Sequence, residues 1–162
     1  MKTVVDSNNN PGGTLQYARY SEVTPPDVSL VEVSRSLLPS IFFFPISTSE
    51  TWETTQRKLI THLVGAHLVM EYNQRELSII GDASRASTFG KGILDFVEDF
   101  LTVFRGHRLA VDGTVYLDKP LEIEEISYFR EDLSDEAFFL IATIRMNCTR
   151  LFLQTSLPGN IS

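Results

Sequence analysis

The sequence predicts an α+β domain, in which an antiparallel or mixed β-sheet carries one main amphipathic helix at about residues 88–106. From Phe138 to Cys148 the even positions are apolar and their odd neighbours turn polar along the middle, which is typical of a strand with one buried face and one solvent-exposed face. Residues 89–105 instead place apolar side chains three and four positions apart, which is typical of a helix. Hydrophobic residues make up 43% of the 162 positions, enough for the core of a single domain.

Residues 1–29 are predicted to form an irregular, extended N-terminal arm. Clusters of Asn, Pro and Gly at 8–13 and of Pro at 25–26 are typical of turns. Two interpretations of the arm stay open, a poorly ordered terminus or a segment that packs on a neighbouring subunit. We expect the folded domain to occupy residues 30–153 and a loose tail to occupy 154–162.

Several segments of the first half suggest strands. Residues 41–44 form a short aromatic run between two prolines, which favours a buried strand, and the polar residues 47–53 predict a turn region. Residues 57–72 fit parts of both a helical and a strand pattern, and their Thr, Val and Tyr favour the strand. A further strand is predicted at 76–80.

The clearest helix is the segment 89–105. Its apolar stripe is too wide for a solvated helix, so it must pack on a sheet or on another helix. The stripe consists of Phe89, Ile93, Phe96, Val97, Phe100, Leu101 and Phe104. Gly106 fits a C-terminal stop.

Short β signals follow the helix. Residues 109–111 and 114–117 flank Asp112-Gly113, a pair that favours a tight hairpin. In residues 121–130 the apolar positions change from odd to even at Glu124-Glu125, which predicts a β-bulge.

The last strand is predicted to be unusually long. Its even positions from Phe138 to Cys148 are apolar and are expected to face the core. At the usual rise, residues 137–153 would span roughly 55 Å, whereas a typical strand spans about 17–20 Å. Either the strand bends near Asn147, or its end projects and pairs outside its own subunit.

No motif predicts catalysis or a cofactor. His62, His67 and His107 lack the partners of a zinc site or a catalytic triad, although His67 and Glu71 are four residues apart. Residues 90–92 lack the remainder of a phosphate-binding loop. Cys148 is the single cysteine, so we expect a small buried side chain and no intrachain disulfide. We therefore expect no enzyme activity, no metal and no cofactor.

The charge balance is acidic, with a formal net charge of −7. Such a balance argues against nucleic-acid binding, which requires clustered Lys and Arg. The N-terminus lacks the apolar core of a signal peptide, and no apolar run is long enough to span a bilayer. We expect a chain made in the cytoplasm that makes no membrane contact.

Residues 126–146, I-S-Y-F-R-E-D-L-S-D-E-A-F-F-L-I-A-T-I-R-M, resemble the tail terminator proteins of long-tailed bacteriophages. In that family an aromatic-containing strand ends in a basic-then-acidic turn, and an alternating terminal strand follows. The helix at 89–105 lies where the family's sheet-packing helix would lie, and 41–44 matches an early strand. Members of the family open with an amphipathic helix, whereas residues 1–29 here are broken by Pro and Gly.

The resemblance implies a structural protein of the virion, made in the host cytoplasm and placed in the neck region of the tail. It implies a homo-oligomer, a hexameric ring that caps the tail tube protein, meets the head-side connector protein and lets DNA pass without sequence-specific binding. It also implies six carboxylates at the ring lumen or a subunit interface: Glu122, Glu124, Glu131, Asp132, Asp135 and Glu136. The alternative is a small acidic protein-binding module, of immunity or regulatory type, that covers a basic partner.

Overall fold

The protein has the predicted α+β architecture, a mixed five-stranded sheet with one main helix packed on it. The computed structural model describes residues 1–9, 12–16, 18–23, 37–72, 79, 91–105, 110–111, 114–115, 119–132 and 138–153.

Two helices and seven strands are defined within these residues. In chain order they are α1 Lys2–Asn8, β1 Tyr20–Val23, β2 Ser40–Thr54, β3 Arg57–Tyr72, α2 Ile93–Phe104, β4 Ala110–Val111, β5 Thr114–Val115, β6 Glu122–Asp132 and β7 Phe138–Leu153. The main sheet has the strand order β1-β2-β3-β7-β6, and β4 and β5 form a separate pair. Strand β1 runs parallel to β2, and the other neighbours in the main sheet are antiparallel.

Helix α2 covers one face of the sheet and builds the main core. The Phe43 ring of β2 lies 6.1 Å from Phe100 and 5.9 Å from Phe104, measured between ring centroids. The helix begins at Ile93, later than the predicted 88–106, because the backbone at Gly92 is extended and its N–H donates to the Asp95 carboxylate at 3.0 Å. This bond satisfies one of the backbone donors at the start of the helix.

The prediction of an irregular N-terminal arm is wrong for the described part of residues 1–29. This part contains α1 and β1, and the side chains of Val5, Leu15 and Ala18 are fully buried in the main core. The Ser21 hydroxyl donates to the Asp6 carboxylate at 2.7 Å, which ties β1 to α1. The segment packs on its own chain because its scattered apolar residues complete the core beside α2.

The sheet also has a second, smaller core on the face opposite α2. Its members are Leu38, Phe42, Val69, Phe139 and Ile141. The prediction of one wet face along β7 is therefore wrong at its beginning, where both faces are buried. Further along β7 the same face becomes polar and open, as predicted from the alternation.

Most of the strand predictions are confirmed. The ambiguous segment 57–72 is strand β3, and the aromatic run 41–44 lies in the buried half of β2. The hairpin predicted around 112–113 appears as β4 and β5, although the turn itself lies outside the described residues. The bulge is confirmed, because the register between β6 and β7 shifts between Ile123 and Glu125.

One prediction about a turn is wrong. Residues 47–53 continue strand β2 rather than forming a turn, because backbone pairing with β3 extends along this segment. Of the strand predicted at 76–80, only Ile79 is described, and its backbone is helical. Residues 30–36, Gly106 and the tail 154–162 lie outside the described residues.

Candidate functional site

Strands β2, β3 and β7 continue together past the core as a three-stranded ribbon, formed by residues 47–54, 57–63 and 148–153, in which Cys148 still contributes to the core. Strand β1 ends opposite Phe43 and β6 begins opposite Asn147, so neither strand flanks the ribbon. Its longest strand extends roughly 25 Å at the usual rise per residue. The ribbon is thus the part of the sheet that both edge strands leave uncovered.

One face of the ribbon exposes two aromatic side chains in a single cross-strand row. The register pairs Trp52 with Lys58 and Lys58 with Phe152. Trp52 is 54% exposed, Phe152 is 47% exposed, and the Lys58 ammonium lies 5.5 Å from the centroid of the Trp52 ring. Scattered exposed apolar residues are ordinary, but neighbouring ones mark an interaction surface.

Cross-strand contacts hold the ribbon together in place of a core. The Thr61 and Thr149 hydroxyls lie 3.2 Å apart, and the Thr48 hydroxyl lies 2.9 Å from Nδ1 of His62. Lys58 also forms an ion pair with Glu50. Each such pair stabilises a sheet by about 0.2–1 kcal/mol, so the ribbon keeps its shape without deep burial.

The two long edges of the ribbon differ in how they are protected. The β2 edge has register shifts at Pro45/Ser47 and Trp52/Thr54 and carries Glu50 and Glu53. The β7 edge, residues 148–153, pairs with β3 without a register shift and carries no carboxylate. Bulges and charges are the usual devices that stop an edge from accepting another strand. The β7 edge has no bulge and Arg150 is its one charged residue, and no described strand pairs with its outer side.

Strand β6 is the opposite kind of surface, an edge strand rich in carboxylates. Five carboxylates and one arginine lie between Glu122 and Asp132, together with the exposed rings of Tyr128 (46%) and Phe129 (43%). Glu124 is the extra residue of the bulge, because Ile123 pairs with Met146 and the next paired residue is Glu125.

The structure separates the predicted carboxylates instead of clustering them. Glu122 and Glu124 lie at one end of β6, while Glu131 and Asp132 lie at the other end, roughly 30 Å away at the rise of a strand. Asp135 and Glu136 lie outside the described residues, so their surroundings remain a prediction. The four described side chains share one exposed edge strand without forming a single acidic site.

Ion pairs satisfy only part of this acidic strand. Arg145 of β7 donates to the Glu125 carboxylate at 3.1 Å, and Arg130 pairs with Asp132. Glu122 and Glu124 make no ion pair with any described residue. The same holds for Glu131, so both ends of β6 carry uncompensated negative charge among the described residues.

His67 occupies a half-buried position on the face opposite α2. Its ring lies 4.4 Å from the Phe44 ring and 6.1 Å from the Phe129 ring, and its Nδ1 lies 2.8 Å from the Thr143 hydroxyl. Burial lowers the pKa of His67 from 6.5 to about 4, so the imidazole is neutral at pH 7. On a strand, Glu71 lies about 13 Å further along the backbone, too far to share a metal ion with His67.

The remaining candidates for chemistry have structural surroundings. The Cys148 side chain is buried as predicted, and burial raises the pKa of its thiol to about 11, which keeps it protonated and unreactive. Across the part of the chain that the structure describes, no three His, Cys, Asp or Glu side chains are grouped to hold a metal ion. No described helix has the length and apolarity that crossing a lipid bilayer requires. His107 lies outside the described residues.

The aromatic row of the ribbon was not predicted from the sequence. The single tryptophan in an otherwise polar segment was a signal, as was the loss of alternation at residues 151–153. No protein-family model matches the chain, and no curated protein matches it. The functional candidates are therefore the molecule's own two surfaces, the ribbon and strand β6.

Proposed function

We propose that this protein is a structural assembly subunit of the tail terminator kind. It would form a ring in the neck of a tailed bacteriophage, cap the tail tube, meet the head-side connector and let DNA pass. The observation that carries the proposal is the ribbon, which extends three strands past the core and exposes Trp52 and Phe152 in one row.

The energetics of the ribbon favour an intersubunit role. Ordering each residue costs about 1–2 kcal/mol of backbone entropy, and apolar burial is the main contribution that offsets this cost. In the β2 half of the ribbon every side chain from 47 to 54 is exposed, so folding the subunit recovers little there. Burial against a neighbouring subunit would recover more, since aromatic residues are enriched at the centre of interfaces.

The arrangement of the two surfaces supports a ring. The ribbon and strand β6 are different parts of the subunit, so a contact between them joins unlike surfaces. Such head-to-tail contacts close into a ring when the rotation between subunits allows it.

The acidic balance suits a channel through which DNA passes without binding. The net charge of −7 repels phosphates and so disfavours a lasting contact. We retain Glu122, Glu124, Glu131, Asp132, Asp135 and Glu136 as the residues proposed for the lumen or a subunit interface.

A small acidic binding module is the second candidate, and strand β6 is the observation in its favour. Its five carboxylates and two exposed rings would suit a basic protein partner. This function leaves the ribbon without a role, because the ribbon carries cations that such a partner would repel: Arg57, Lys58 and Arg150. We therefore prefer the assembly function.

The mass of the protein in solution tests the proposal. Sedimentation and negative-stain imaging are measured on the protein alone and with the tail tube protein of the same virus. We expect closed rings of about six copies, either alone or on the end of the tube. The variant Trp52→Ser/Phe152→Ser should lose the rings, whereas Leu94→Ser, which alters an exposed apolar residue of α2, should keep them.

Two results would contradict this function. One is a protein that stays monomeric at all concentrations, even when the tube protein is present. The other is a stoichiometric complex with a basic protein that forms equally well with the Trp52→Ser/Phe152→Ser variant.

A further inference from the structure

The ribbon and strand β6 are complementary in three independent properties, which are backbone edge, charge and exposed aromatic rings. The two edges involved are the β7 edge of the ribbon, residues 148–153, and the outer edge of β6. No described strand covers either edge.

The backbone geometry favours strand addition at the β7 edge. Residues 148–153 pair with β3 without interruption, so their outward N–H and C=O groups recur at regular intervals. The outer edge of β6 is regular from Glu125 to Asp132, beyond the bulge. A strand placed beside another satisfies these backbone groups and extends the sheet.

The charges select which edges can meet. Two β6 strands would bring five carboxylates of each copy together, and like charges across an interface are strongly unfavourable. The ribbon carries three cations, Arg57, Lys58 and Arg150, and two carboxylates, Glu53 and Glu50, which pair with Arg57 and Lys58. The ribbon therefore has a net positive charge, whereas the whole chain has a formal net charge of −7.

The exposed rings favour the same pairing. Phe152 is open on the β7 edge, and Tyr128 and Phe129 are open on β6. Aromatic pairs across neighbouring strands contribute about 0.2–1 kcal/mol beyond the backbone bonds. Burying them together removes exposed apolar surface from both copies at once.

We propose that the β7 edge of the ribbon in one copy pairs with strand β6 of a second copy of this chain. The inference rests on the proposed function and deepens it, since it names the two surfaces that join the subunits. The contact is heterologous, so each copy offers its ribbon to one neighbour and its β6 strand to the other. Arg150 then lies beside carboxylates of β6, and Phe152 lies beside the rings of Tyr128 or Phe129.

Disulfide trapping tests the contact directly. In a Cys148→Ala background, Phe152→Cys is mixed with either Tyr128→Cys or Phe129→Cys under mild oxidation. Adjacent residues of a strand point to opposite faces, so the two β6 variants together report on both faces of the joined sheet. We expect disulfide-linked dimers in at least one mixture and little product when each variant is oxidised alone.

A charge exchange tests the same contact without cysteine. Arg150→Glu and Glu131→Lys should each weaken assembly by about tenfold, and the variant that carries both changes should regain most of it. Glu22→Lys, which makes the same charge change on β1 at the opposite edge of the sheet, is the matched control and should assemble normally. Circular dichroism of each variant shows whether the subunit has folded.

The outcomes separate this inference from the proposed function. If rings form but Phe152→Cys links only to itself, or neither mixture yields a dimer, the proposed contact is wrong and the ring survives. The same holds if the exchange variant assembles no better than either single variant. If no oligomer forms under any condition, the proposed function fails together with the contact.

Discussion

Strands β2, β3 and β7 each pass through two regions with opposite surroundings, the core half of the sheet and the ribbon. In the core half of β3, Ala66, Leu68 and Val69 are inaccessible to solvent because both faces of the sheet are covered. In the ribbon half of the same strand, no residue from 57 to 63 is fully buried. The backbone pairing is continuous through both regions.

This difference shows that pairing and burial are separate sources of stability in this sheet. Backbone hydrogen bonds keep the strands aligned in either region, at a net gain of about 0.5–1.5 kcal/mol each. Apolar burial contributes more to the stability of the fold, and the core half receives most of it. The core half is therefore the stable part that holds the exposed ribbon in place. Substitutions in the core half should reduce stability more than substitutions in the ribbon.

The largest effect should come from an aromatic residue in the core. Phe100→Ala removes a ring that contacts Phe43 and Phe104, and it should lower the free energy of unfolding by about 3–5 kcal/mol. The matched change in the ribbon, Trp52→Ala, should cost about 1 kcal/mol or less, because that ring is mostly solvated. Urea denaturation measures both values, and equal losses would remove the distinction between the regions.

A smaller effect is expected where the core meets the ribbon, at Gly65. A Cβ at this position would overlap the Phe44 ring, which lies across the neighbouring strand. Gly65→Ala should therefore destabilise the protein by about 1–3 kcal/mol. In a Phe44→Ala background the same change should cost much less, because the overlapping ring is gone. A cost that is identical in both backgrounds would contradict this explanation of the glycine.

The smallest effect should be a pH dependence carried by His67. Its pKa is about 4 in the folded chain against 6.5 when solvated, so the unfolded chain binds more protons between these values. The stability that His67 contributes is complete above about pH 6.5 and is lost as the pH falls towards about 4.

Urea midpoints measured across this pH range test the role of His67. The decrease in midpoint should be shallower for His67→Gln than for the unchanged protein, since carboxylates titrate in both proteins. His62→Gln, which changes the exposed histidine of the ribbon, should retain the full decrease. Parallel curves for His67→Gln and the unchanged protein would exclude His67 as the source.

Several elements could be predicted because their signal is local. The stripe of α2 repeats at helical spacing, and the alternation of β7 identifies its core face, so period alone predicts both. The bulge was visible for the same reason, because one extra residue reverses the alternation at Glu124-Glu125. The carboxylates of the candidate interface could be identified from the sequence as an acidic run, of which Glu122, Glu124, Glu131 and Asp132 lie in β6.

Other elements could not be predicted because their signal comes from distant residues. The polar segment 47–53 has no apolar pattern of its own, and it becomes a strand because β3 pairs with it along its length. Val5, Leu15 and Ala18 are separated by turn-forming residues, and they become core residues only where α1 meets the sheet and α2.

The sequence by itself determined the α+β class, the main helix, the long final strand and the acidic character, because residue spacing and charge are properties of the chain. Only the tertiary structure decided that Trp52, Lys58 and Phe152 form one cross-strand row and that the four described carboxylates of the prediction lie on one edge strand, two at each end. The reason is that strand register joins residues far apart in the chain, and register is set by the packing of the whole sheet.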